Sequence, residues 1–141
     1  MRSAVLGALL SAAFCGSAVL VTLNALAAPA LTGKWRILTV AGVDGLDAGK
    51  SRAEFAGNGR FASTVGCNRI AGAPSTSGGR LSFGPMMTTR MACPPPLDRV
   101  EQNYLAALQA ARGYRLDGER LLFLDENGET LVALERERER P

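Results

Sequence analysis

The fold is decided by a short stretch, Phe55-Ala56-Gly57-Asn58-Gly59-Arg60-Phe61, which joins two segments of alternating side chains. Asn-Gly supplies the positive φ angles that tight hairpin turns require. The flanking segments, 53–56 and 60–65, are therefore predicted to form an antiparallel pair, with Phe55 and Phe61 on one buried face. The rest of the chain is placed around this hairpin.

Strand signals of the same kind recur on both sides of the hairpin. One strand is predicted before it, at 35–40, and further short extended segments are predicted at 80–83, 86–93, 114–116, 121–124 and 131–134. Glycines and a proline make 71–79 an expected irregular loop. Turns at Asp117-Gly118 and at 125–128 give two more hairpins, so most connections are antiparallel.

One helix is predicted, from about 98 to 112, directly after three consecutive prolines. Asp98 and Glu101 form a capping-box pattern, and Gly113 is expected at the C′ position. Apolar residues recur at helical spacing, namely Val100, Tyr104, Ala107, Leu108 and Ala111. The sequence thus predicts an α+β class: a small antiparallel β-rich domain of about seven strands, as a twisted sheet or partly closed barrel, with one covering helix.

The N-terminus has the features of a secretory signal peptide. Arg2 precedes an uncharged, mainly apolar run from Ala4 to Ala27, which ends in an A-x-A site. We expect 1–27 to be the signal peptide and the protein to be periplasmic or secreted. An uncleaved membrane anchor is the alternative, because about 20 apolar residues can span a bilayer. The charged end, 135–141, is expected to be a solvated tail.

Composition excludes several chemistries. The chain has 141 residues and no histidine, so it cannot build a Ser-His-Asp or Cys-His nucleophile or a His-ligated zinc or haem site. Three cysteines are too few for a Cys₄ zinc site, and a formal charge of +3 gives little support to a nucleic-acid partner. We expect a non-enzymatic monomer with no cofactor, no metal and no nucleic-acid partner.

Two cysteines remain once the signal peptide, with Cys15, is removed. Cys67 and Cys93 form an even pair in an exported chain, which predicts a disulfide. The chain-entropy treatment gives a loop of this length about 3.5 kcal/mol of stabilisation. Two free thiols are the alternative.

Three ordered motifs resemble those of the META domain family (formerly DUF306), which contains HslJ-like heat-shock proteins. They are Gly66-Cys67-Asn68, Thr88-Thr89-Arg90-Met91-Ala92-Cys93, and Glu101 with Tyr104 on the helix. The resemblance implies a META domain over 28–134, a β-rich fold with one helix, and an exported or envelope-attached protein. It also implies heat induction and novobiocin tolerance, but no catalytic mechanism. Pro74 departs from the family pattern, which often has an aromatic residue there.

Three polar residues near the cysteines are possible contacts for a ligand or partner: Asn68, Arg69 and Arg90. A Cys67–Cys93 bridge would bring the two arginines together, where they could bind an anion. Simpler interpretations are solvated arginines and an asparagine bonded within its own turn.

Other candidate residues favour ordinary structural roles. Asp44 and Asp47 are carboxylates in a glycine-rich loop, where a plain turn is favoured over a calcium or acid/base site. Core packing is the favoured role of the methionines at 86, 87 and 91.

The function predicted is a stress-related binding or interaction module of the cell envelope. One alternative is a binder of small apolar ligands in a barrel pocket, lined by residues such as Met86, Met91, Phe83 or Phe123. The other alternative is an inhibitor of an enzyme that attacks the envelope.

Overall fold

The computed structural model describes residues 30–138, so the predicted signal peptide lies outside the described residues. Ten strands and one helix follow one another along the chain: β1 Gly33–Val40, β2 Arg52–Phe55, β3 Phe61–Thr64, β4 Ile70–Gly72, β5 Ser75–Ser77, β6 Arg80–Ser82, β7 Met87–Thr88, α1 Leu97–Ala110, β8 Gly113–Asp117, β9 Arg120–Leu124 and β10 Thr130–Arg136. All strand pairs are antiparallel. The predicted α+β class is confirmed.

The strands form one sheet in the order β5-β6-β8-β9-β10-β1-β2-β3-β4-β7. Two meanders, β1 to β4 and β8 to β10, are joined where the last strand, β10, pairs with the first, β1. Residues 83–86 then carry the chain from β6, near one end of the sheet, to β7 at the other end.

The sheet curls into a half-barrel. Phe61 on β3 and Phe83 just after β6 have ring centroids 4.9 Å apart, although five strands separate β3 from β6 in the sheet order. Phe55 lies 4.9 Å from Phe61, and Phe123 lies 5.6 Å from Phe83. The predicted hairpin is confirmed, because Phe55 and Phe61 are opposite each other and both are buried.

The helix fills the concave side of the curl. Its buried face, which includes Val100, Tyr104 and Leu108, joins one core cluster with Trp35 and Ile37 of β1. The spacing predicted that face correctly, but the helix spans Leu97–Ala110 rather than 98–112. No described helix is long and apolar enough to cross a membrane.

The predicted helix ends are wrong in their details. Pro96 occupies the N-cap position and has no side-chain acceptor, whereas Asp98 lies within the first turn of the helix. Glu101 does not complete a capping box, since its carboxylate bonds to Asn68. Gly113 does not adopt the left-handed conformation of a C′ glycine, since it begins β8. A Cβ at Gly113 would lie 3.2 Å from the carbonyl oxygen of Gly79, so glycine serves close packing of β8 against the β5–β6 turn.

Ten strands form where about seven were predicted. β4 and β5 lie largely within 71–79, which composition marked as irregular; they exist because neighbouring strands accept their backbone hydrogen bonds. β7 is only two residues long, whereas 86–93 was predicted to be extended. The charged tail begins later than 135, because Glu135 and Arg136 belong to β10 and pair with β1.

Two hydroxyl groups are buried in the middle of this core. Tyr104 from the helix is fully buried, and burial raises the pKa of its hydroxyl well above the ordinary value for tyrosine. The hydroxyl of Ser63 on β3 lowers that pKa by a smaller amount, yet neither oxygen completes a hydrogen bond of good geometry within the described chain. The Tyr104 hydroxyl is therefore expected to favour its neutral form.

Candidate functional site

The predicted disulfide between Cys67 and Cys93 is present and joins the segment after β3 to the segment before the helix. Its Cα atoms lie 6.0 Å apart, within the usual range for a bridge. Asn68 lies beside this bridge, with its Nδ2 3.2 Å from Cys93 Sγ.

Asn68 is 5% exposed, and its amide connects three parts of the chain. Nδ2 donates to Glu101 Oε1 at 2.7 Å and lies 3.3 Å from the carbonyl oxygen of Met91. Oδ1 accepts from the backbone N–H of Met91 at 2.8 Å and from the Thr89 hydroxyl at 2.9 Å. The favoured interpretation, an asparagine bonded within its own turn, is wrong, because its partners lie more than 20 residues away.

Glu101 is a buried carboxylate that faces an amide rather than a cation. It accepts two hydrogen bonds from Asn68, at 2.7 Å from Nδ2 and 2.8 Å from the backbone N–H. Such charge-assisted bonds are about twice as strong as neutral ones. They compensate part of the cost of burying the charge.

Cys67, Cys93 and Glu101 place three possible metal-ligand atoms within 4.8 Å of one another. Because the two sulfurs are bonded to each other, neither is available as a thiolate ligand in this structure. In this oxidised form the cluster acts as a brace between β3 and α1.

Arg69 and Arg90 occupy neighbouring positions at the edge of this brace. The Thr89 hydroxyl accepts from the backbone N–H of Arg69 at 2.9 Å, and the Thr89 N–H donates to the Arg69 carbonyl at 3.0 Å. Both arginines are exposed, so the brace fixes their backbone and leaves their side chains outside. Their role as contacts for a ligand or partner stays a prediction.

Two exposed methionines lie on the same braced segment. Met87 is 72% exposed and Met91 is 60% exposed, and they are the exposed large hydrophobic residues of the described chain. The expected core packing is wrong for these two and holds for Met86, which is half-buried against the core. Met87, Arg90 and Met91 are called the methionine corner below.

The apolar pocket considered above has little support. Phe83 and Phe123 pack against each other in the core with centroids 5.6 Å apart, while Met91 is exposed. These side chains therefore do not converge on one space for a ligand.

Asp47 stabilises the glycine-rich loop in which it lies. Its Oδ1 accepts from the backbone N–H of Gly49 at 2.9 Å, and its other oxygen lies 3.6 Å from the Lys50 ammonium. This is the plain turn role that was favoured for the loop.

A groove of about 310 Å³ runs over the convex face of β1 to β4. It is lined by the short side chains of Ala62 and Thr64 and by longer charged side chains: Lys34, Arg52, Glu54, Arg69 and Glu137. Of these, only Arg69 was singled out from the sequence. Strand register could have found the others, since alternate residues of neighbouring strands share a face.

The comparisons with known proteins identify the family. The META domain family matches residues 28–138, which confirms the resemblance seen in the motifs. No match was found among curated proteins.

Solved structures share the fold at low identity. An NMR structure of a protein from Burkholderia xenovorans has a TM-score of 0.62 and 24% identity, with 98% of this chain and 99% of that chain covered. A crystal structure of a DUF4847 family protein from Bacteroides vulgatus has a TM-score of 0.57 and 16% identity, with 78% and 96% covered. These likenesses support the fold, and the family match shows that the chain belongs to the META domain family.

Proposed function

We propose that this chain is an exported, non-enzymatic interaction module of the cell envelope, which binds a protein partner through the methionine corner. The observation that supports it most directly is the exposure of Met87 and Met91 on a segment fixed from inside. Methionine and arginine are both enriched in protein interfaces relative to the rest of the surface. Arg90 between them favours a partner that presents carboxylates beside an apolar patch.

Rigidity of the corner supports the same proposal. Thr89, Met91 and Cys93 are each tied to the 67–69 segment, by hydrogen bonds or by the disulfide. A surface held in one conformation loses less entropy on binding, so more of its contact energy is expressed as affinity. Export, heat induction and a stress-related role are part of the proposal through the family resemblance.

Site-specific crosslinking tests the binding surface. A photo-crosslinking residue at position 91 in the exported protein is expected to give a discrete adduct in cells, and Arg90→Glu should reduce that adduct. The matched control places the crosslinker at position 103 on the exposed side of the helix. The same adducts at both positions, or no effect of Arg90→Glu, would contradict the proposal.

Export is tested separately, by the mass of the protein recovered from the envelope. We expect an N-terminus at Ala28. Recovery of an intact N-terminal segment in the membrane fraction would instead favour the anchored form.

Incubation with lysozyme and with periplasmic extract tests whether the partner is an envelope-attacking enzyme, as the inhibitor alternative expects.

A further inference from the structure

The convex groove is lined by charges of both signs. Lys34 on β1 and Arg52 and Glu54 on β2 are exposed, whereas the residues that alternate with them are buried. Register places Lys34 directly opposite Glu54, and Arg52 directly opposite Thr64 of β3. The lining as a whole holds three cations and two carboxylates, so one positive charge is in excess. An anion bound in the groove would balance that charge.

Short residues next to these long ones form the groove itself. Ala62 is opposite Glu54 on one side and Ala71 on the other, and Thr64 lies beside it on β3. The resulting volume of about 310 Å³ is at the lower end of the range for small-molecule sites. The groove therefore has room for a compact ligand.

The cations around the groove retain donor capacity. The Nε of Arg52 lies 3.3 Å from Glu137 Oε1, and one terminal nitrogen of Arg52 donates to the Gly49 carbonyl oxygen at 3.3 Å. Within residues 30–138, the side chains of Lys34 and Arg69 form no hydrogen bond or ion pair. Lys34 and Arg69 can thus donate to a ligand without breaking an existing bond.

The disulfide brace fixes one end of the groove. Arg69 follows Asn68, and its backbone is bonded in both directions to Thr89. The opposite side is formed by Lys34 on β1, near the middle of the sheet. Lys34 and Arg69 are therefore carried by a sheet and a braced turn rather than by a long loop, and rigid placement improves recognition.

We infer that this groove is a binding site for a small oxyanion-bearing ligand, a carboxylate or phosphate, held by Lys34, Arg52 and Arg69. Guanidinium groups suit this chemistry because their planar donors match two oxygens at once. Glu54 and Glu137 also line the groove, so a second anionic group is repelled while a ligand ammonium or hydroxyl is accepted. The preferred ligand carries one oxyanion and one hydrogen-bond donor, as an amino acid or peptide terminus does.

Titration with three simple probes, followed by amide NMR, tests this inference. Glycine, acetate and inorganic phosphate are each added to the protein without its signal peptide. We expect the amides of Ala62 and Thr64 to shift with each probe. Glycine should bind more tightly than acetate, because only glycine offers an ammonium to Glu54. A stronger response to phosphate than to both carboxylates would identify a phosphate ligand instead.

Matched variants test whether the amide shifts of Ala62 and Thr64 depend on the side chains of Lys34 and Arg69. Lys34→Ala with Arg69→Ala should weaken binding about tenfold, since two charge-assisted contacts are lost. Arg115→Ala with Arg120→Ala removes two exposed arginines from β8 and β9 and should leave the titration unchanged. No shift at Ala62 and Thr64 with any probe, or equal weakening in both double variants, would overturn the inference. Met87→Ser with Met91→Ser should leave these shifts intact, which separates this site from the methionine corner.

Discussion

Arg136 stacks on the indole ring of Trp35, with its guanidinium carbon 4.2 Å from the ring centroid. The two residues are opposite each other on β10 and β1, where the two meanders meet. The same guanidinium donates to the carbonyl oxygens of Thr32 at 3.0 Å and Ala30 at 2.7 Å. One side chain near the end of the domain therefore holds its beginning in place.

Arg136→Ala should lower the free energy of unfolding by about 2 kcal/mol, because the cation–π contact and two hydrogen bonds are lost together. Arg136→Lys should recover only part of the loss, since lysine lacks the planar fork. Urea unfolding followed by fluorescence measures the effect, because Trp35 is the single tryptophan. Arg115→Ala, which removes an exposed arginine from β8, is the control and should change the midpoint little. A loss as small as that of Arg115→Ala would show that the contacts of Arg136 do not stabilise the domain.

Substitutions of Asn68 and Glu101 are expected to have large and coupled effects on the free energy of unfolding. Asn68→Ala removes the side-chain bond to the buried carboxylate and the side-chain bonds to residues 89–91, so we expect a loss of about 3 kcal/mol. Glu101→Gln should cost less, and the double variant should cost less than the sum of the two. Chemical unfolding of all three proteins measures the coupling. Asn103→Ala, on the exposed face of the same helix, is expected to be nearly neutral; additive losses would contradict the coupling.

The disulfide should contribute about 3.5 kcal/mol, because it closes a loop of 26 residues in the unfolded chain. A Cys67→Ser, Cys93→Ser variant is expected to unfold at lower urea than the oxidised protein. Addition of reductant should bring the wild type to the midpoint of the variant and leave the variant itself unchanged. If reductant shifts both proteins alike, the stabilisation does not come from this bridge.

Burial of Tyr104 makes the free energy of unfolding depend on pH in the alkaline range. Its pKa is raised in the folded state by burial, so the unfolded chain releases this proton first. The contribution of Tyr104 to the free energy of unfolding is complete below the ordinary tyrosine pKa of about 10. As pH rises above that value, the contribution falls by about 1.4 kcal/mol per pH unit. Tyr104→Phe should abolish this part of the slope, whereas Tyr114→Phe should keep it. Unfolding midpoints between neutral and alkaline pH measure the difference, and equal slopes for the two variants would contradict the assignment.

Gly113→Ala tests the close approach of β8 to Gly79. The new methyl would meet the Gly79 carbonyl oxygen at 3.2 Å, so we expect a loss of about 1–2 kcal/mol. Gly84→Ala is the matched control, because nothing lies within 4 Å of its Cβ position. Thermal unfolding of the two variants should differ clearly. Equal stability would mean that the β5–β6 turn moves away at no cost.

The parts of the fold that depend on local patterns were predictable, and the parts that depend on distant partners were not. The Phe55–Phe61 hairpin and the apolar face of the helix follow from nearest neighbours in sequence. β4 and β5 are three residues each and gain their structure from neighbouring strands, so their own composition gave no signal. Glu101 fits a capping box equally well, and only the folded chain shows that it bonds to Asn68.

The candidate site divides in the same way. Cysteine counting predicted the disulfide and drew attention to Arg69 and Arg90, which flank it. Lys34 and Arg52 were not predicted, because they reach the groove only through the pairing of β1, β2 and β3. The exposure of Met87 could not be predicted either, since methionine is usually a core residue and β7 happens to end the sheet.

The position of β10 determines when the domain can form. This strand is the last to be synthesised, yet it lies between β9 and β1 near the centre of the sheet. A growing chain that lacks residues 130–136 has two sets of strands without the strand that pairs with both, and the Trp35 ring has no cover from Arg136. The complete sheet can therefore form only after residues 130–136 have been synthesised, because both neighbouring strands need β10 as their partner.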